Sequence, residues 1–164
     1  MKRLLLILLI PTLSYSQITF EEIMYINSEK TFKRVMIENG FEYEDTDDDL
    51  FVWYGLNIVR DSSEGSKSSF WGSYFKENEE FMFQIGVRSS LGEDLFGRQI
   101  ETEDNVYNEL TEKIKKSCKY YDVLNENGND YVCYSCPQSK YKGKIGFYKS
   151  DGFGYIRHII PTEE

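Results

Sequence analysis

Phe81-Met82-Phe83-Gln84-Ile85-Gly86-Val87 is the stretch on which the fold turns. Apolar side chains fall at every second position (Phe81, Phe83, Ile85, Val87), which is the period of a strand resting one face on a core. Upstream the same period recurs. Lys76-Glu77-Asn78-Glu79 is a turn and Ser69 to Lys76 a strand. Asp61 to Ser66 turns the chain again, after a long strand from Leu50 to Val59 with Val52, Tyr54, Leu56 and Ile58 on one side. Phe41-Glu42-Tyr43 opens the set, and the polar run Asp45 to Asp49 joins it to the long strand.

Before Phe41 the period is helical. Thr19-Phe20-Glu21-Glu22 has the hydroxyl and the carboxylate of a capping box, and Ile23, Met24 and Ile26 follow. Ser28 can cap a second helix carrying Phe32, Val35, Met36 and Ile37, which Asn39-Gly40 ends, so the unit opens with two short helices or one bent helix. Downstream of Val87, Ser89 to Gln99 is irregular. Thr102 then caps a helix whose Val106, Leu110 and Ile114 recur at spacing four. Two hairpins close the chain. Lys119–Leu124 and Asp130–Cys136 turn at Asn127-Gly128, and Lys144–Lys149 and Gly154–Ile160 turn at Asp151-Gly152. Both dipeptides suit turns that need positive φ.

These elements predict an α+β fold: an antiparallel sheet of about eight strands in two helix-plus-four-strand units, with the helices packed on one face. The units are pseudo-repeats over 17–88 and 100–160. Phe51-Val52-Trp53-Tyr54 matches Tyr131-Val132-Cys133-Tyr134, and Phe41-Glu42-Tyr43 is set against Tyr120-Tyr121-Asp122. The alternative is that any two aromatic-rich hairpins look this alike. In element order the chain resembles the tandem helix-plus-four-strand plan of the β-lactamase inhibitor protein family. That resemblance is one of topology, and no residue role is taken from it.

Composition narrows the function. The 164 residues carry 19 Lys and Arg against 28 Asp and Glu, a net charge of -9. Met1-Lys2-Arg3, the apolar run Leu4 to Ile10 and the small residues of Ser14-Tyr15-Ser16 read as a signal peptide over 1–16, leaving one domain over 17–164. Removing Lys2 and Arg3 takes the net charge to -11. Such acidity disfavours nucleic acid and anionic lipid, and after the signal no apolar run approaches the ~18 residues of a membrane span. An exported protein, periplasmic or secreted, is expected.

The three cysteines, Cys118, Cys133 and Cys136, then read as one disulfide and one free thiol. A hairpin centred near Asn127 sets Cys118 opposite Cys136, whereas Cys133 and Cys136 point to opposite faces of one strand. The expected bond is Cys118–Cys136. Two rival readings use the same residues: thiol exchange at Cys133-Tyr134-Ser135-Cys136, and a zinc site of Cys118, Cys133, Cys136 and His158. Asp45-Thr46-Asp47-Asp48-Asp49 invites a calcium reading, but Leu50 and Leu56 stand where an EF-hand loop needs Gly and Glu. With a single His and no phosphate-cradling loop, no catalytic set stands out. A small carboxylate-based hydrolase remains as an alternative.

Aromatic residues are the strongest functional signal. Phe, Tyr and Trp make up 16% of the chain. If Val52, Tyr54, Phe81, Phe83 and Ile85 face the helices, the opposite parity presents Phe51, Trp53, Trp71 and Phe75, joined by Tyr134 and Tyr148 from the second half. Helices on one face leave these rings on the other, where contiguous aromatics mark recognition. The competing expectation is that curvature, or the Ser89–Gln99 loop, folds the rings into a second small core. Charge is uneven as well: residues 17–99 hold 17 acidic and 8 basic side chains, residues 100–164 hold 11 and 9. Lysines 113, 115, 116, 119, 140, 142 and 144 cluster in the second half, either steering a partner or forming a solvated face. The function expected is non-enzymatic recognition of a protein or glycan partner by the aromatic face, without a cofactor.

Overall fold

A computed structural model describes residues 18–44, 49–63, 65–87 and 102–160. The expected signal peptide, most of the Asp45–Asp49 run and the Ser89–Gln99 loop lie outside the described residues. In chain order the elements are α1 (Phe20–Tyr25), α2 (Glu29–Glu38), β1 (Glu42–Glu44), β2 (Phe51–Leu56), β3 (Val59–Asp61), β4 (Gly65–Lys67), β5 (Phe70–Phe75) and β6 (Glu80–Gly86). After them come α3 (Thr102–Ser117), β7 (Lys119–Glu126), β8 (Asn129–Ser135), β9 (Lys144–Ser150) and β10 (Phe153–Ile159).

Local chemistry accounts for the helix ends. The Glu22 N–H donates to Thr19 Oγ1 while the Glu22 carboxylate accepts from the Thr19 N–H, which satisfies donors the first helical turn would leave open. At the end of α2, Gly40 takes φ 78°. Its N–H reaches the Ile37 carbonyl, and the Phe41 N–H reaches that of Met36. That pair of bonds closes the helix and sends the chain into β1. Asn39 ties the helices together, its Nδ2 donating to the Glu22 carboxylate at 2.9 Å.

Eight strands form one antiparallel sheet in the order β1-β2-β5-β6-β10-β9-β8-β7. The β6–β10 pair joins the halves, with Ile156 opposite Phe83. The first half opens with two separate helices and departs from a plain helix-plus-four-strand plan in that β3 and β4 form a separate two-stranded ribbon. The reason is local. Asn57 adopts φ 52°, which stops the long strand at Leu56, so the expected Asp61–Ser66 turn lies at the tip of the ribbon.

The main core lies between the helices and one face of the sheet. Phe32, Val35 and Met36 of α2 meet Tyr54, Tyr74 and Phe83, and Val106, Tyr107, Leu110 and Ile114 of α3 join the same cluster. Close approach needs gaps in the sheet. A Cβ on Gly72 would strike Met36 Sδ at 2.6 Å, and one on Gly154 would enter the Tyr107 ring. The Tyr107 hydroxyl, in turn, donates to the Tyr148 carbonyl at 3.1 Å. The Cys118–Cys136 disulfide then fastens the end of α3 to the end of β8, across 18 residues.

Candidate recognition face

Register fixes which rings lie opposite the helices. Trp53 pairs with Ser73 and Phe51 with Phe75 between β2 and β5, and Trp71 pairs with Gln84 between β5 and β6. Phe51, Trp53, Trp71 and Phe75 therefore share the helix-free face, and all four are half-buried. Their rings interlock: Phe51 and Phe75 lie 4.7 Å apart edge to face, Phe51 and Trp53 lie 6.3 Å apart, and Trp53 meets Trp71 at 6.4 Å and 84°. Small residues let them fit. Ser73 lies between the larger side chains, and a Cβ on Gly55 would collide with Trp71 and Ile58. At the β1 edge Arg60 of the ribbon bridges Glu44 at 2.9 Å and Glu42 at 3.5 Å, and Ser66 donates to Glu44.

Further across the same face, Arg157 donates to Glu80 at 2.8 Å, and the other Glu80 oxygen accepts the Ile160 N–H. Both side chains are buried. Burial by itself lowers the Arg157 guanidinium, but the hydrogen bond and charge of Glu80 outweigh it and hold it raised. Arg157 also sits 5.5 Å over the Phe75 ring, linking the pair to the aromatic row.

Beyond Arg157 the second-half rings behave differently. Tyr131, Cys133 and Ile159 form a small buried cluster, with Leu124, Tyr148 and Tyr155 packed against it. Tyr148 stacks on Tyr155 at 4.6 Å and meets Tyr131 edge-on at 4.6 Å. Tyr148 and Tyr155 are half-buried, like the Phe51–Trp71 row, but they pack over a small buried cluster of their own. Cys133 is fully buried there, and burial pushes its thiol up to about 11.

Tyr134 is a correction. It lies on the helix side, stacked on Phe147 at 5.5 Å and packed against the main core. The cause is parity. Cys136 must face the helices to reach Cys118 at the end of α3, and Tyr134, two residues away, shares that face. Sequence reasoning also passed over Tyr131 and Tyr155, although the Asp151-Gly152 turn sets Tyr155 directly opposite Tyr148.

The thiol and metal readings find no common site. Cys118 and Cys136 are bonded to each other, and Cys133 lies on the opposite face of β8. His158 is buried between Phe81 and Tyr141, their ring centroids 5.3 and 3.6 Å away. Among the described residues no three His, Cys, Asp or Glu side chains converge as metal ligands, and no helix is long and apolar enough to cross a membrane. Compared with known protein families, curated proteins and solved structures, the chain matches none.

Proposed function

We propose that this chain is an exported, non-enzymatic binding protein that recognises a protein or glycan partner through the helix-free face of its sheet. The observation that carries this reading is the row Phe51, Trp53, Trp71 and Phe75. Four large rings lie half-exposed in mutual contact on the face the helices leave open. Rings held by their neighbours lose little side-chain freedom on binding, and a cluster of Trp and Phe is the usual energetic centre of an interface. The Cys118–Cys136 bond and the basic-apolar start of the sequence support an oxidising compartment, periplasmic or extracellular. We also infer that the halves are repeated units. The 80-residue offset carries β2 onto β8, each second from an edge of the sheet, and keeps every matched residue on its face: Trp53 with Cys133 on the open side, Tyr54 with Tyr134 on the helix side. Relatives whose halves show no excess similarity at this offset would remove the repeat.

The test uses the mature chain as bait against the producing cell's envelope and culture fluid, beside a Trp53→Ala/Trp71→Ala variant. Capture should fall at least tenfold in the variant, with the far-UV circular dichroism unchanged. Undiminished capture by a folded variant refutes the reading.

A further inference from the structure

The two edges of the sheet are unlike. β1 has three residues, and its glutamates are held by Arg60 of the ribbon. β7 has eight residues and, among the described residues, pairs only with β8. Tyr120, Tyr121 and Val123 on it are 53%, 45% and 47% exposed, an unusual concentration of large apolar side chains on one outer strand. Sheets normally blunt such an edge, because its free N–H and C=O groups are a template for another strand. Here the blunting is slight. A bulge interrupts the register between Tyr120 and Asp122, and the Val123 N–H, turned away from β8, donates to its own neighbour's carboxylate, Asp122 Oδ1, at 2.8 Å.

We propose that β7 is the site at which two copies of this chain join, antiparallel, about a two-fold axis at Val123. The charge pattern argues for a second copy. β7 is basic at its start, with Lys119, and acidic at its end, with Glu126. Antiparallel pairing lays each basic end on the other's acidic end. Centred on Val123, it sets Val123 against Val123 of the second copy and Asp122 against Leu124. The extra residue of the bulge then places Lys119 across from Glu126. A centre one residue earlier would instead force Asp122 onto Asp122. Cross-strand pairs of opposite charge and of β-branched residues favour the Val123 centre, and like charges disfavour its neighbour. As the strands meet, each Val123 N–H exchanges the Asp122 side chain for the opposing Val123 carbonyl. An axis perpendicular to the sheet keeps both open faces on the same side, so the assembly presents two Phe51–Trp71 rows to one partner surface.

Sedimentation equilibrium of the mature chain from micromolar to submillimolar concentration tests this. The expected result is a monomer–dimer equilibrium that Val123→Pro weakens by tenfold or more. The proline removes only an N–H that β8 does not use, and edge strands accept it. Lys119→Glu should weaken the dimer as well, and adding Glu126→Lys should restore it. If Val123→Pro does not fold, this charge exchange decides alone. A chain monomeric throughout, a dimer indifferent to these changes, or one lost only when Trp53 and Trp71 are replaced would overturn the proposal.

Discussion

His158 offers the sharpest quantitative test of the core. Its imidazole is fully buried, and neither ring nitrogen has a hydrogen-bond partner among the described residues. Tyr141 and Phe81 lie against the ring, and its charged strand neighbour Arg157 is turned to the other face, paired with Glu80. Burial among these groups lowers the imidazole from 6.5 to about 3. The folded protein therefore excludes a proton that the unfolded chain accepts below pH 6.5. Stability is intact above that value and falls as pH drops, until the loss levels off near the folded pKa. Each pH unit costs about 1.4 kcal/mol, so at about pH 4.5 the loss is roughly 3 kcal/mol. Urea unfolding of the native chain and of His158→Leu, at about pH 7.5 and 4.5, isolates this contribution because the carboxylates are common to both. The variant should match or exceed native stability at the higher pH, since an unpartnered polar ring is gone. Between the two pH values it should lose roughly 3 kcal/mol less than the native chain. Equal acid losses in both proteins would refute the placement of a neutral, unbonded imidazole in this core.

Two further outcomes follow from the geometry. Replacing Cys118 and Cys136 by Ser opens an 18-residue loop and should cost about 3 kcal/mol, read as a lower urea midpoint with similar slope; an unchanged midpoint would count against the bond. Glu80→Ala strands the Arg157 guanidinium in a buried position and should cost about 3–5 kcal/mol, while replacing both residues by Leu and Met should be far milder; equal losses would show that the pair is not a buried unit.

Most of the architecture is legible in residue spacing because its signals are short-range. Thr19 with Glu22, Ser28, and Asn39-Gly40 mark helix ends by hydrogen-bond chemistry confined to one turn. The alternation from Phe81 to Val87 states its own face. The Cys118–Cys136 bond is readable to within one residue: the Asn127-Gly128 turn pairs Glu126 with Asn129, a register that by itself would set Lys119 against Cys136, and the bulge at Tyr121 moves Cys118 into place. What spacing does not carry is long-range. Asn57 turning φ positive converts the end of one strand into a ribbon. The Glu80–Arg157 pair spans 77 residues and depends on β6 meeting β10. Tyr134 is different: its side of the sheet is fixed by its spacing of two from Cys136, a local signal that the number of aromatic residues alone does not convey.

The two faces of the sheet bury their side chains by different means, and the difference bears on function. On the helix side Phe32 and Met36 enter the space above Gly72, and Tyr107 covers Gly154, so sealing depends on groups from another layer. On the open side, among the described residues, no helix arrives. The rings instead shelter one another, Phe51 against Phe75 and Trp53 against Trp71, over the small residues Gly55 and Ser73, with Arg157 drawn down onto Phe75 by Glu80. A surface sealed by its own side chains leaves apolar area facing water, since each ring is covered mainly by neighbours beside it and stays half-exposed. It is also rigid, because moving one ring opens a gap beside the next. Exposed apolar area and fixed rotamers are the two conditions under which binding gains the most from burial and loses the least to ordering. The Phe51–Trp71 row offers both through Trp and Phe rings alone, whereas in the Tyr131–Tyr148 cluster Tyr131 is buried and the half-buried rings, Tyr148 and Tyr155, carry hydroxyls.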